Sequence, residues 1–161
     1  MEKSQTGLAG EFYTLAQLTH RGLIATLTLG NTKGVDILVT NQEINSLFKV
    51  EVKTTVNKPR KEKLFGHEEF FMWTMGKKHE EIRDSNLVYC FVCLQGANTL
   101  PRFFIVPSDD VADYVKWQHD HWLSTRVNLV KETAMRTFRI SLSDPNGYEN
   151  NWRLLGICQN D

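Results

Sequence analysis

The stretch Lys33–Thr55 reads KGVDILVTNQEINSLFKVEVKTT, with an apolar, β-branched run on either side of a polar turn. This pattern is typical of a β-hairpin. Three charged residues interrupt the runs: Asp36 in the first, and Glu51 and Lys53 in the second. Charges in the most strand-like part of a chain need a reason, so the hairpin decides both the fold and the candidate site.

Side chains alternate between the two faces of a strand, so Glu51 and Lys53 share one face of the second arm. If the hairpin is symmetrical about Glu43 and Ile44, Asp36 lies opposite Glu51 on that same side. The two carboxylates would then have Cβ atoms roughly 5 Å apart, where like charges destabilise a sheet. Something positive must lie between them. The candidates are Lys53 and a divalent cation such as Mg²⁺.

A helix is predicted from residues 4 to 21, closed by Gly22. Its apolar stripe comprises Leu8, Leu15 and Leu18, with Phe12, Ala16 and Thr19 beside it. Glu11 falls on this stripe, and a carboxylate on a buried helix face is uncommon unless it is paired. We therefore expect the helix to pack over the hairpin and to direct Glu11 towards Asp36 and Glu51.

The remaining elements predict an α/β or α+β fold in which helices flank a mixed sheet. The continuous apolar run LVYCFVCL is typical of a strand buried on both faces. The expected strands cover residues 23–29, 34–40, 47–55, 87–94 and 103–106, with one or two more within 126–142 and a strand or helix entry at 70–75. Helices are expected at 77–83, from Ser108 or Asp109 to Leu123, and at 148–155, with a turn at 144–147.

Composition indicates one globular domain over residues 1–161, with 41% hydrophobic and 24% charged residues. The formal net charge is zero, so any attraction to nucleic acid must come from a local patch. No apolar run approaches the length of a membrane span, and the first residues lack a signal-peptide pattern. With three cysteines, an odd number, we expect a cytoplasmic protein with reduced thiols and no membrane partner.

A local basic patch is predicted after the hairpin, in the turn-rich segment KPRKEK. If it lies beside the acids, this segment and a lysine pair further on could contact phosphates. An ordinary solvated loop is the alternative. The residues concerned are Lys58, Arg60, Lys61, Lys63, Lys77 and Lys78.

Other polar and aromatic residues favour structural interpretations. Cys90 and Cys93 lie three apart on a strand, so they face opposite ways and pack in the core rather than chelate zinc. The aromatics of FFMWTM, which could stack on an unpaired base, are more typical of a core. His79 is interpreted as lying on a solvated helix face. Two further histidines, His119 and His121, are expected at the surface, and Trp117 and Trp122 are expected to anchor the late helix to the sheet.

A helix bearing Glu11, a strand with Asp36 and a following strand with Glu51-x-Lys53 resemble the PD-(D/E)XK nuclease superfamily. That superfamily includes type II restriction enzymes, archaeal Holliday-junction resolvases and many repair nucleases. The resemblance covers about the first 95 residues and rests on GEF, GVDILV and FKVEVKTT, with Val35 in place of a proline that often precedes the first acid. It implies a restriction-endonuclease-like α-β-β-β-α-β core at about residues 4–95 and a C-terminal elaboration at about 98–161.

The resemblance also implies roles for these residues. Asp36, Glu51 and the backbone carbonyl of Val52 would bind Mg²⁺, for which Mn²⁺ can substitute, and Glu11 would help to bind a second ion. Lys53 would hold the attacking water or stabilise the developing charge. The product would be a cleaved DNA phosphodiester, and a homodimer would allow both strands to be cut.

Two other functions stay open at this stage. The chain could be a nuclease-like fold without catalysis, acting as a nucleic-acid or protein binding module. It could also be an unrelated α/β domain, in which case Asp36 and Glu51 would lie far apart or on opposite faces. The pattern does not distinguish restriction, junction resolution, repair and mobile-element defence, because all of them use this fold.

Overall fold

A computed structural model describes residues 2–29, 34–125 and 132–157. It contains two α-helices, α1 (Lys3–His20) and α2 (Ser108–Ser124). Short 3₁₀ turns occur at Lys63–Phe65, Lys77–Glu80 and Trp152–Leu155. The strands are β1 (Ile24–Leu27), β2 (Ile37–Asn41), β3 (Ser46–Thr55), β4 (Phe70–Gly76), β5 (Leu87–Cys93), β6 (Arg102–Pro107) and β7 (Met135–Ser141). Neither helix in these ranges combines the length and the apolar character that crossing a membrane requires.

Five strands form the main sheet in the order β1-β2-β3-β5-β6. The β3–β5 pair is parallel and the other pairs are antiparallel, so the predicted mixed sheet is confirmed. The predicted hairpin register is also confirmed: Ile37 lies opposite Val50, and Leu38 opposite Lys49. The ladder ends at the Ile37–Val50 pair, and the Asp36 N–H donates to that same Val50 carbonyl rather than pairing with Glu51.

A separate two-stranded ribbon, β4–β7, forms a second layer together with α2. The nuclease resemblance implied a helix between the third and fourth core strands, and residues 77–83 were expected to form it. That expectation is wrong, because the connection holds β4 and the 3₁₀ turn Lys77–Glu80 instead. Phe71, Trp73 and Met75 are buried at every second position, and this period favours a strand over a helix.

Strand β5 separates two apolar cores and is buried along its whole length, as predicted. Cys90 belongs to the core beneath α1, and Cys93 to the core shared by α2 and the ribbon. The prediction that these two cysteines face opposite ways is therefore confirmed. Phe71 and Trp73 lie in the second core and Phe70 is buried too, so these aromatics are core residues rather than an exposed stacking platform.

Helix α1 packs on the sheet through only part of the predicted apolar stripe, with Leu18 buried and Leu15 packed against the same core. Its buried residues are Thr6, Gly10, Thr14 and Leu18, whereas Leu8 and Phe12 are 50% and 53% exposed. A Cβ at Gly10 would lie 1.9 Å from the Thr54 hydroxyl oxygen, so only glycine allows this approach to β3. Small residues four apart bring the helix close to the sheet, and this close packing overrides the amphipathic pattern.

The C-terminal part differs from expectation in several places. The predicted helix at 148–155 is only the turn Trp152–Leu155. Residues 126–142 contribute the single strand β7, and residues 126–131 of that segment lie outside the described residues. His119 is buried rather than exposed, and Trp117 is 52% exposed rather than an anchor. The predicted turn at 144–147 is confirmed by the Gly147 N–H, which donates to the Asp144 carbonyl over 3.0 Å.

Candidate active site

The most buried charged residue of the predicted site is Glu51, at 2% exposure in the middle of β3. Its neighbour across the parallel ladder is Tyr89 on β5, and the neighbour of Lys53 is Phe91. Both partners belong to the core between the sheet and the ribbon. Glu51 and Lys53 therefore lie on the ribbon side of the sheet, as their shared strand face predicts.

Lys53 forms an ion pair with Glu51, with 2.6 Å between Nζ and Oε1. The Lys53 side chain is 25% exposed, so its ammonium group reaches the surface while the carboxylate stays buried. The structure thus brings the acid and the amine of the Glu-x-Lys motif together. Their catalytic roles stay predictions.

Asp36 lies one residue before β2, just outside the ladder with β3. Its N–H donates to the Val50 carbonyl, and its carbonyl accepts from the Thr28 N–H, each over 2.9 Å. The side-chain Oδ2 accepts from the Val52 N–H over 2.6 Å. These three bonds hold the carboxyl group at the edge where β2 begins, next to Val52, whose carbonyl was predicted as a metal ligand.

The pKa of Asp36 is raised above its ordinary value. Burial is the largest cause, and the negative charge of Glu51 adds to it. The Val52 N–H and the positive charges of Lys53 and Lys78 lower the pKa, but they offset burial only in part. The protonated form of Asp36 is therefore favoured more than that of an aspartate free in water.

Glu51 behaves in the opposite way. Burial again raises the pKa, but the hydrogen bond from His79 and the charge of Lys53 outweigh it and bring the pKa to about 2. Both donors use the same oxygen, Oε1. The other oxygen, Oε2, is buried without a hydrogen-bond partner, and so is the nearby Tyr89 hydroxyl, whose pKa is raised by burial and by the charge of Glu51. A Cβ at Gly34 would lie 3.5 Å from Oε2.

Glu11 is half-buried on α1. Its pKa is raised first by burial and next by the negative charge of Asp36, while Lys53 opposes both. These couplings place Glu11 within electrostatic reach of Asp36 and Lys53, whereas its expected approach to Glu51 stays a prediction. Its predicted part in binding a second ion is untested.

His79 is the residue that sequence reasoning missed. It was interpreted as solvated, yet it is 3% exposed, and its Nε2 lies 3.2 Å from Glu51 Oε1. The contact spans 28 residues and depends on where the turn Lys77–Glu80 sits over the sheet. Nothing in GKKHEE signals it. A histidine followed by charged residues gives the same local pattern on a surface.

The described residues hold no group of three or more His, Cys, Asp or Glu side chains placed to enclose a metal ion. What they offer is a pair of carboxylates, Asp36 and Glu51, one of which has a buried oxygen without a partner. Mg²⁺ is ordinarily held by one or two carboxylates together with water and substrate phosphates, rather than by an all-protein cage. The residues fit such an ion and do not fit a closed structural metal site.

The predicted basic residues separate into two groups. Lys77 pairs with Glu132 over 2.5 Å, and Arg60 pairs with Glu62 over 2.6 Å. The others are exposed, and within the described ranges they have no acidic partner within 4 Å: Lys58, Lys61, Lys63 and Lys78. Lys78 is also close enough to the site for its charge to lower the pKa of Asp36.

A cavity of about 360 Å³ is lined by other residues, among them Phe65, Tyr114 and Arg139. None of the four predicted catalytic residues borders it. The predicted site lies instead on the interior strand β3, where Glu51 is buried and the Lys53 side chain is 25% exposed.

No sequence profile of a known family matches the chain, and no curated protein matches it in sequence. Among solved structures the chain is similar to a bacterial homing endonuclease, I-Ssp6803I, with a TM-score of 0.54. The match covers 96% of this chain and 91% of that one, at 14% sequence identity. At this identity the similarity concerns the fold, so the chain shares the α/β fold of that endonuclease over nearly its whole length.

Proposed function

We propose that this protein is a divalent-cation-dependent nuclease of the PD-(D/E)XK type that hydrolyses DNA phosphodiester bonds. The observation that carries the proposal is the edge formed by Asp36, Glu51 and Lys53, where a buried carboxylate oxygen has no partner. A buried polar atom without a hydrogen bond is costly, and a missing ion or water is a standard explanation. The shared fold with a bacterial homing endonuclease supports the same reading.

The carboxylates of Asp36 and Glu51 would hold Mg²⁺ or Mn²⁺, together with the Val52 carbonyl. When bound, such an ion activates water and neutralises charge on the scissile phosphate. Its positive charge would oppose the effect of burial on Asp36 and lower the pKa of that carboxyl group, which favours two ionised carboxylates in the loaded site. Glu11, coupled to Asp36 from α1, would orient a water or assist a second ion.

Lys53 supplies the positive charge on the substrate side. Its ammonium is part-exposed and bonded to Glu51, so it can turn outwards to the attacking water or to a phosphate oxygen. A positioned cation stabilises the negative charge that develops in the transition state. The DNA backbone would run over the unpaired basic residues. One of them, Lys78, is close enough to Asp36 for its charge to lower the pKa of that carboxyl group.

A second copy of the chain would supply the second cut in a duplex. We therefore include a homodimer in the proposal, tested by the ratio of nicked to linear product from supercoiled plasmid.

One observation favours a second candidate, a nucleic-acid binding module without cleavage. The described residues lack a three-acid cluster placed around a single ion, and Lys53 is already paired with Glu51. Such a module would bind DNA through the same basic residues and would need no metal.

The test is cleavage of supercoiled plasmid and single-stranded DNA in Mg²⁺, Mn²⁺ or EDTA. Lys53→Ala is the test variant. Lys49→Ala is the matched control, because Lys49 lies on the same strand and forms an exposed ion pair with Asp84 over 2.7 Å. We expect metal-dependent cleavage by the wild type and the control, and none by Lys53→Ala. DNA binding without cleavage in any metal would support the binding module, and neither activity would overturn both.

A further inference from the structure

The ring of His79 is fixed by groups that do not belong to the predicted catalytic set. Its Nδ1 lies 3.0 Å from the Gly76 nitrogen and 2.8 Å from the Gly76 carbonyl oxygen. The ring also packs edge-on against Tyr89, with 5.8 Å between centroids. The position of Nε2 is therefore set by the turn and by the core beneath it, independently of Glu51.

The proton on this ring can be assigned from its neighbours. An ionised carboxylate only accepts hydrogen bonds, and Glu51 is paired with the Lys53 ammonium over 2.6 Å, as an ionised carboxylate would be. Nε2 must then carry a hydrogen in either protonation state. In the neutral ring Nδ1 accepts from the Gly76 N–H, and in the charged ring Nδ1 donates to the Gly76 carbonyl. In both cases His79 donates to Glu51.

Two donors thus share Glu51 Oε1, and they differ in mobility. The Lys53 side chain is 25% exposed and flexible, whereas His79 is 3% exposed and held by Gly76. If Lys53 turns away to the substrate, His79 still neutralises and orients the carboxylate. Oε2 keeps its direction, buried and without a partner.

We infer that His79 is a positioning residue: it holds Glu51 Oε1 so that Oε2 is aimed at the cation and Lys53 is free to serve the phosphate. This inference rests on the proposed nuclease function and adds a residue to its metal-binding edge. Groups that hydrogen-bond a ligating carboxylate commonly contribute 10–100-fold to metal affinity, roughly the size expected here.

The test compares two amide substitutions. In His79→Gln the amide nitrogen takes approximately the place of Nε2 and can still donate to Glu51. In His79→Asn the amide lies near the place of Nδ1, so the link to Gly76 is kept and the link to Glu51 is lost. Both variants lose the ring, so they share any cost from the contact with Tyr89. Circular dichroism and thermal melts establish that each variant is folded.

The readouts are the Kd of Mn²⁺ from calorimetry on the protein alone and the Mn²⁺ concentration for half-maximal plasmid cleavage. We expect His79→Asn to raise both values by about 10–100-fold. We expect His79→Gln to keep both values within about threefold of wild type. Equal values in all three proteins, or equal losses in both variants, would overturn the inference while leaving the nuclease proposal intact. A wild type that neither binds Mn²⁺ nor cleaves DNA would overturn both.

Discussion

Two buried ion-pair sites meet at adjacent residues of the turn Lys77–Glu80. Glu80 pairs with Arg136, which is 2% exposed and donates also to the Thr133 and Met135 carbonyls. His79 pairs with Glu51, one of whose oxygens has no partner. We call the Arg136 site filled, because no buried side-chain nitrogen of Arg136 lacks a hydrogen-bond partner, and the Glu51 site open, because Glu51 Oε2 lacks one.

The difference separates a structural site from a functional one. A buried charge with all its hydrogen-bonding groups paired holds neighbouring elements together, and here Arg136 joins β7 to the turn. A buried carboxylate with one oxygen unpaired is a cost to the fold, which a bound cation would remove. Changes at the first site should therefore affect stability alone, whereas changes at the second should affect activity as well.

The largest effect on stability is expected from Arg136→Met. Removing the guanidinium leaves Glu80, whose side chain is only 15% exposed, without its ion-pair partner. We expect the free energy of unfolding to fall by roughly 3–5 kcal/mol, measured by urea denaturation. Arg83→Met is the control, since Arg83 pairs with Asp113 at the exposed surface, where an ion pair contributes little to stability. Equal stability of Arg136→Met and wild type would show that the Arg136–Glu80 pair does not stabilise the fold.

The largest effect on activity is expected from Glu51→Gln. The amide keeps the shape of the side chain but loses the charge that binds a cation. Metal-assisted charge stabilisation amounts to several kcal/mol, so the single-turnover cleavage rate should fall roughly 10³-fold. Glu80→Gln is the matched control from the filled site. It should cleave at nearly the wild-type rate per folded molecule, and a similar loss in both variants would contradict the distinction between the sites.

The Glu51 site should also make the stability of the fold depend on pH. Glu51 has a folded-state pKa of about 2 against an ordinary 4.5, so its ionised form stabilises the fold. This contribution is complete above pH 4.5 and is lost as the pH falls towards 2. In EDTA, the unfolding free energy of wild type should lose about 3 kcal/mol more over that window than that of Glu51→Gln. Parallel pH curves for the two proteins would show that the carboxylate is not held as described.

The smallest effect compares two adjacent lysines. Both lysines are exposed, but the charge of Lys77 is paired with Glu132. The charge of Lys78 instead acts on Asp36, whose pKa it lowers. We expect Lys78→Ala to reduce the slope of log binding constant against log salt by about 1, and Lys77→Ala to leave it nearly unchanged. Titrations of a fluorescent duplex across salt concentrations measure both slopes. Equal slopes in the two variants would place the DNA elsewhere.

How far the sequence predicts this molecule depends on the range of the contacts. The hairpin register follows from a period of two and a symmetrical turn, both local, and so the pairing of Ile37 with Val50, beside Asp36 and Glu51, could be predicted. The helix could be predicted too, but not its buried face. Gly10 and Thr14 pack against the sheet because they are small, a property that an apolar-stripe argument does not weigh.

Long-range placement could not be predicted. Strand β4 pairs with β7, which follows it by more than fifty residues, and no local pattern identifies that partner. The same ribbon leads into the turn that carries His79 to Glu51. The acids and the lysine of the candidate site could thus be identified from the sequence. The histidine that holds one of them was not.

The most direct test of the central claim is Mn²⁺ uptake measured by calorimetry on wild type, Asp36→Asn, Glu51→Gln and Glu80→Gln, with and without a DNA duplex. The open carboxylate site predicts saturable Mn²⁺ binding by wild type and Glu80→Gln, and its loss in Asp36→Asn and Glu51→Gln. No uptake by the wild type in either condition, or unchanged uptake by Glu51→Gln, would contradict the account.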